Sequence, residues 1–539
     1  MTASRIAALA ALVLLCACSR SGSGNQAVHA ADYLVRGNGV EIKSLDPHYI
    51  DGQWEANVVG DALVGLTTDA ADGSPMAGVA TSWETSPDGK TWTFHLRDSV
   101  WSDGQPVTAE DFAFAWRRIL EPVRGAPYAY YLWLIKNAHA ISDGKLPASA
   151  LGVTAADDKT LVVTLEHPAP YMLQYLLHQA VFPVPRHAVL AKGNAWARPE
   201  NYVANGPYVP KEWVPNDHVT LVKNPRFYDA ANVRIQTIIY KPTPDTLAAL
   251  KAIRAGELDT QNLVPGAEID WMRSHIAHAL QINTFLGVAY LSVNFQHKPF
   301  QDLRLRRAIA LAFDRETMSA KILKLGEPAA YHFVPPGIAN YPGGAVVDFQ
   351  ALPYDQRLAK ARALMIEMGY GPDNHFHTTY DSTTTPDGKR SAATLQAMLR
   401  RIYIDIDIVN SDTQIFYKKL QQGQFDMAGG SWVGDFDDPG TFLDLLRTGA
   451  GNNYGQYHSG KYDALLDQAN QTLDIETRGE LLRQAEQTAL DDVAVIPTRF
   501  LVTQDIVEPY VKGWIPNVRD FNKSRWLWID PHAKPERGG

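Results

Sequence analysis

The sequence predicts an α/β protein with mixed, largely parallel sheets and more than one domain, and three observations carry that expectation. Strand-like and helix-like segments succeed one another along most of the chain. The strand positions alternate: Trp92, Phe94 and Leu96 fall on one face, Thr93, His95 and Arg97 on the other. Beyond an N-terminal export segment, about 500 residues remain, and the 45% apolar and 20% charged content is that of a globular protein of two or three domains.

The elements follow in order. After the strand at 91–97, the turn WSDGQPV leads to Thr108, placed to cap a helix in which Phe112, Trp116, Ile119 and Leu120 recur on one face. Further on, SAATLQAMLRR reads as a helix running into Ile402, Ile404, Ile406 and Ile408, which alternate with Tyr403, Asp405, Asp407 and Val409. Strand, helix and strand in succession favour parallel pairing. Turn clusters at DAADGSPMAG, SPDGK, NYVANGPYVP and PNDHV divide the chain without supplying a long linker, and no fixed-period repeat is present. Crossings between domains must therefore be short.

The first residues read as an address rather than as structure. Arg5 precedes an apolar stretch at 6–15, too short to span a bilayer, which is the pattern of a secretory signal. It ends in Leu15-Cys16-Ala17-Cys18, which resembles a bacterial lipobox and would make Cys18 the lipid-modified first residue of the mature chain. An ordinary signal cleaved at another nearby small residue is the alternative. On the lipobox reading, 1–17 is a lipoprotein signal peptide and 18–30 a flexible tether, because SRSGSGNQAVHA cannot bury apolar surface. Both cysteines lie in this segment, so no disulfide is expected in the folded body.

Charge and motifs narrow the function. The net charge of −9 is modest and interspersed, without the basic patch that nucleic acid requires. The chain has no HExxH, no GxSxG, no GxGxxG and no Walker loop; residues 37–44 imitate the last but lack the glycine before Lys43. Asp435-Phe-Asp437-Asp438-Pro-Gly440 opens like a calcium loop, yet position 5 is Pro439 and position 12 is Leu446 instead of a bidentate Glu. The 16 histidines show no ligand spacing. Neither a metal nor a cofactor is implied. A carboxylate pair assembled only in space, as in a glycosidase, stays open at this point.

Several strings then act together: SLDPHYIDG at 44–52, GVATSWETSPDGKTWTFHLRDSVWSDGQPVTAEDFAFAWRRI at 78–119, NGPYVP at 205–210, LSVNFQHKPFQDLRLRRAIALAFDR at 291–315 and FDMAGGSWVGDFDDPGTFL at 425–443. They resemble the extracellular solute-binding family 5, within it the oligopeptide-binding branch of peptide importers, over essentially the whole mature chain. The resemblance implies a two-lobe, hinged, periplasmic-binding-protein-like fold of the three-domain, type II kind. Carried over by position, a discontinuous domain I comprises 31–61, 188–285 and 502–530, an inserted domain II 62–187, and domain III, the second lobe, 286–501. It also implies an exported, non-enzymatic monomer that encloses an extended oligopeptide and delivers it to the permease of an ABC transporter.

Residue by residue, Asp435 matches the family's aspartate for the peptide α-amino group, against the plainer reading of a turn-capping Asp before Pro439. Trp432 and the backbone around Ser431 and Val433 match the strand that pairs with the peptide. Tyr128 and the loop Asp51-Gly52-Gln53 match cleft-lining positions on the other lobe; each could equally be core or surface. Asp437 and Asp438 are expected to be solvated carboxylates of the same turn. The basic residues that meet peptide carboxylates in this branch correspond here to Gly429, Leu420, Asp387 and Leu323, with Lys324 as a displaced substitute for the last. This departure leaves ligand length open. Another solute on the same fold (a nickel chelate, haem, an opine or an oligosaccharide) and a secreted hydrolase are the competing functions.

Overall fold

The computed structural model describes residues 33–534; the signal, the tether and Cys18 lie outside the described residues. A small antiparallel sheet is formed by β2 (Ala80–Thr85), β3 (Thr91–Leu96), β4 (Val153–Asp157) and β5 (Thr160–Thr164), in the order β2-β3-β5-β4. A large sheet takes β1 (Tyr33–Gly37), β6 (Tyr208–Val214), β7 (His218–Lys223), β8 (Thr237–Lys241), β9 (Thr260–Asn262), β10 (Leu280–Val293), β11 (Phe376–Thr383), β12 (Ile404–Ser411), β13 (Met427–Val433) and β14 (Ile496–Val507). Its order is β12-β11-β13-β10-β14-β9-β1-β8-β7-β6. The sheet is mixed, but parallel pairing is less prevalent than expected: only β11–β12, β11–β13, β1–β8 and β1–β9 are parallel.

The two long strands hold this sheet together. Leu280–Thr284 of β10 pairs with 502–506 of β14, pairing lapses, and it resumes with Val288 opposite Phe500. The lapse falls at 285–287 and Leu501, where the two crossings between lobes are expected. A Cβ at Gly287 would lie 2.7 Å from Leu501 Cδ1, so any larger residue here makes the Leu501 side chain shift. Past the lapse β10 gains β13 as its second neighbour, with Gly287 opposite Val433 and Val293 opposite Met427.

The local sequence explains the elements around the site. Trp92, Phe94 and Leu96 of β3 are buried on one face as the alternation requires. Helix α1 (Gln53–Ala62) starts from Gly52, whose N–H donates to Glu55 Oε2 at 2.9 Å. Helix α2 (Ala109–Ile119) starts at Thr108, whose N–H donates to Asp111 Oδ2 at 2.9 Å. Its Phe112, Trp116 and Ile119 are fully buried in the core shared by residues 34–240 and 507–529. Its Arg118 reaches back to Asp46 through Nη2–Oδ2 and Nη1–Oδ1 contacts of 2.6 and 3.1 Å, both side chains nearly inaccessible. The strings SLDP and WRRI thus meet in one buried ion pair, to which Trp196 Nε1 adds a 3.1 Å bond. Helix α3 (Pro386–Arg400) begins five residues before the expected SAATLQAMLRR, because Thr385 caps it and Pro386 occupies its first turn.

Candidate functional site

The site is built on β13 and the turn that follows it. One edge of β13 is covered by β10; the other meets β11 only at Met427 and Ala428. From Gly429 to Val433 the outer edge is unpaired among the described residues, so its N–H and C=O groups are available to an extended chain. Gly434 N–H then donates to Leu286 O at 2.8 Å and Asp435 N–H to Thr441 Oγ1 at 3.1 Å, which fixes where the Asp435 carboxylate stands.

Asp435 is half-buried, and among the described residues no cation pairs with it. Its one described side-chain partner is the Tyr130 hydroxyl, which donates to Oδ2 at 3.4 Å. Burial raises the carboxyl to a pKa of about 7, with only the Tyr130 bond acting the other way. The carboxylate in turn helps to hold the hydroxyls of Tyr128, Tyr130 and Tyr131 above their usual range, after the larger effect of their own burial. An ammonium group would relieve the whole arrangement.

Two cavities meet at Asp435. One, of about 320 Å³, is lined by Asp51, Gly52, Gln53, Tyr128, Val433 and Asp435. The structure therefore brings together six of the residues singled out from sequence, from segments nearly 400 positions apart. Asp51 is ion-paired with Lys43 at 2.5 Å, Gln53 donates to Asp520 O at 3.0 Å, and Tyr128 packs edge-on to His178 with ring centres 4.5 Å apart. The second cavity, of about 400 Å³, is aromatic: Tyr130, Trp133, Tyr171, Trp432 and Phe436 line it with Asp435. Ser431 lies farther along, in a third cavity of about 250 Å³ with Gly429, Asp387, Tyr380 and Arg499.

Four expectations need correction. Asp438 is not solvated: it is fully buried, with both oxygens 2.7 Å from Arg478 Nη1 and Nη2. Asp437 accepts the Ala339 N–H at 2.8 Å, so it too is structural. Of the positions expected to hold carboxylate anchors, Leu420 and Leu323 lie in apolar clusters rather than in the cleft. Lys324 sits 3.8 Å from Asp270 and lines none of the three cavities, so it does not stand in for a cleft cation. Tyr130, Trp133 and Arg499 were missed; the run APYAYYLW carried a signal for the first two, but nothing local marked Arg499.

The fold and the cleft define an α/β binding protein in which an open strand edge and a cation-free carboxylate face an aromatic wall. The model of bacterial extracellular solute-binding proteins, family 5 Middle, matches residues 74–454, and the chain belongs to that family. It is 36% identical over 491 residues to the periplasmic oligopeptide-binding protein OppA of Salmonella typhimurium, covering 89% of each chain. It is 33% identical to the probable deoxycholate-binding periplasmic protein YgiS of Escherichia coli, over 91% of this chain and 92% of that one. The crystal structure of Haemophilus influenzae OppA in complex with RPPGFSPFR superposes with a TM-score of 0.78 at 31% identity, over 93% of this chain and 99% of that one.

Proposed function

We propose that this protein is the substrate-binding component of an ABC importer, capturing short peptides in the cleft and delivering them to the membrane permease. The observation that carries the reading is the Asp435 carboxylate, half-buried without a cation at the end of the open edge of β13. A peptide meets both needs at once: its backbone satisfies the edge and its α-ammonium the carboxylate. The relatives named for oligopeptides, one of them with a peptide bound, support the same ligand class.

On this reading the protein is a monomer of the periplasm or cell envelope, held at the membrane by lipid on Cys18, and carries out no catalysis. Domain I at 31–61, 188–285 and 502–530, the inserted domain II at 62–187 and domain III at 286–501 move about a hinge at the two crossings. The lapse in pairing at 285–287 and Leu501 supports that division. A second reading, a non-peptide amphipathic solute, draws on the aromatic cavity and the deoxycholate-named relative. Deoxycholate has no amine, so it leaves Asp435 unanswered. Native mass spectrometry of the purified protein followed by denaturation separates the two: a set of co-purified peptides supports the first, one defined non-peptide overturns it.

A further inference from the structure

We propose that Arg499 is the anion-binding group at the far end of the cleft and takes a carboxylate of the ligand, an inference that rests on the peptide-binding reading. Of the four positions where the family resemblance places cations, only Gly429 and Asp387 line the third cavity, and neither brings positive charge. Arg499 does. It lies opposite Ala289 across β14 and β10, and Ala289 lies opposite Ser431 across β10 and β13. Directly opposed residues share a face of the sheet, so Arg499 stands on the face of Ser431 and, two positions along, Gly429. The small side chains at 289 and 431 leave room on that face beside Arg499. Gly429 is met by the Tyr380 hydroxyl, which would lie 2.5 Å from a Cβ built there.

The guanidinium is held from one side only. Arg499 Nε donates to Glu327 Oε2 at 2.7 Å, while neither Nη donates to any described residue. A planar fork fixed through Nε keeps both Nη groups prepared for a carboxylate. The opposing charge in the cavity is Asp387, which is itself engaged by Arg390. Ser431 and Asp435 are four residues apart, at most about 14 Å along an extended chain. An extended peptide advances about 3.3 Å per residue, so a ligand with its amine at Asp435 brings roughly its fourth residue abreast of Arg499. Two sources of carboxylate fit: the C-terminus, and an acidic side chain near that position.

Calorimetry on the mature protein with tetra-alanine as free acid, tetra-alanine amide, and the amide with Glu at position three or four tests the assignment. Wild type is expected to favour a carboxylate-bearing peptide over the plain amide by about tenfold or more. Arg499→Gln should reduce that ratio to about twofold or less, while Arg499→Lys retains part of it. Preference for the free acid identifies the terminus as source; preference confined to the Glu amides identifies the side chain. Because Arg499→Gln leaves Glu327 buried without its cation, the Glu327→Gln/Arg499→Gln double variant is measured beside it, with melting curves for both. Undiminished preference in these variants, or no preference in wild type, overturns the assignment. If Asp435-dependent peptide binding persists in that case, only this inference falls; if wild type binds none of the peptides, the peptide reading falls with it.

Discussion

Replacing Asp435 by Asn keeps the shape of the turn and removes the charge. If the carboxylate receives the peptide amine, the variant leaves an ammonium desolvated without its partner, a loss of about 2–5 kcal/mol, or roughly 30-fold to several-thousand-fold in Kd. The unliganded fold should not suffer, since burial alone already raises this carboxyl to a pKa of about 7. Acetylating the peptide amine should cost wild type a comparable amount and add little in the variant, because both changes delete the same contact.

The pKa adds a second signature to the same experiment. Below about pH 7 the empty site holds a neutral carboxyl, which must lose its proton before it can pair with the ammonium. Wild-type affinity should therefore fall by up to about tenfold per pH unit below 7, and fall again as a free amine with a pKa of about 7.7–8.0 loses its proton. Asp435→Asn should lose the acid limb and flatten the basic one, because both report the same ion pair. Calorimetry of wild type and variant against free and acetylated peptide, at about pH 5, 6, 7.5 and 9, decides the matter. Losses that simply add, or an acid limb that survives the substitution, would refute the reasoning.

Three further outcomes follow from the structure. Arg118→Leu should destabilise the fold by about 3–5 kcal/mol, read by denaturant unfolding, because it strands the buried Asp46 carboxylate without its cation. Saturating peptide should raise the melting temperature by mass action and reduce the radius of gyration in small-angle scattering; superimposable profiles would exclude closure about the crossings. Cys18→Ser should give unlipidated or uncleaved protein by mass spectrometry, and the same lipid adduct on the variant would refute the anchor.

What was legible in the sequence was local, or was carried by strings that act together. β3 and α2 follow from periodicity and a cap within ten residues, and α3 and β12 from a helical run that leads into alternating isoleucines; β11, the parallel partner of β12, was not marked by the sequence. Helix α3 still starts earlier than its apolar pattern, because Thr385 and Pro386 set the boundary rather than the buried face. The antiparallel pairing of β10 with β14 joins segments more than 200 residues apart, and no periodicity encodes it. Asp438 was misjudged for the same reason: its partner, Arg478, is 40 residues away in the helix Ile475–Asp491, and a carboxylate beside Pro439 gives no local sign of being buried. Arg499 becomes visible only once Ala289 and Ser431 fall into one row across three strands.

On the hinged, peptide-binding reading, the four consecutive residues after Gly434 would couple binding to closure. Asp438 is clamped to Arg478 and Asp437 to the Ala339 backbone, so the turn cannot flex independently of the structure behind it. Phe436, in the same turn, stacks on Tyr171 at 5.2 Å and meets Tyr131 and Tyr175 edge-on at 6.3 and 6.0 Å. Arg478 lies over the other wall as well, 4.7 Å from the Tyr171 ring centre. The carboxylate proposed for the ligand amine and the ring that crosses the cleft are thus adjacent residues of one rigid turn. On the hinged, peptide-binding reading, docking of Phe436 among the tyrosines would withdraw Asp435 from water and raise its demand for a cation. A bound ammonium would answer that demand, so on the same reading each contact would strengthen the other.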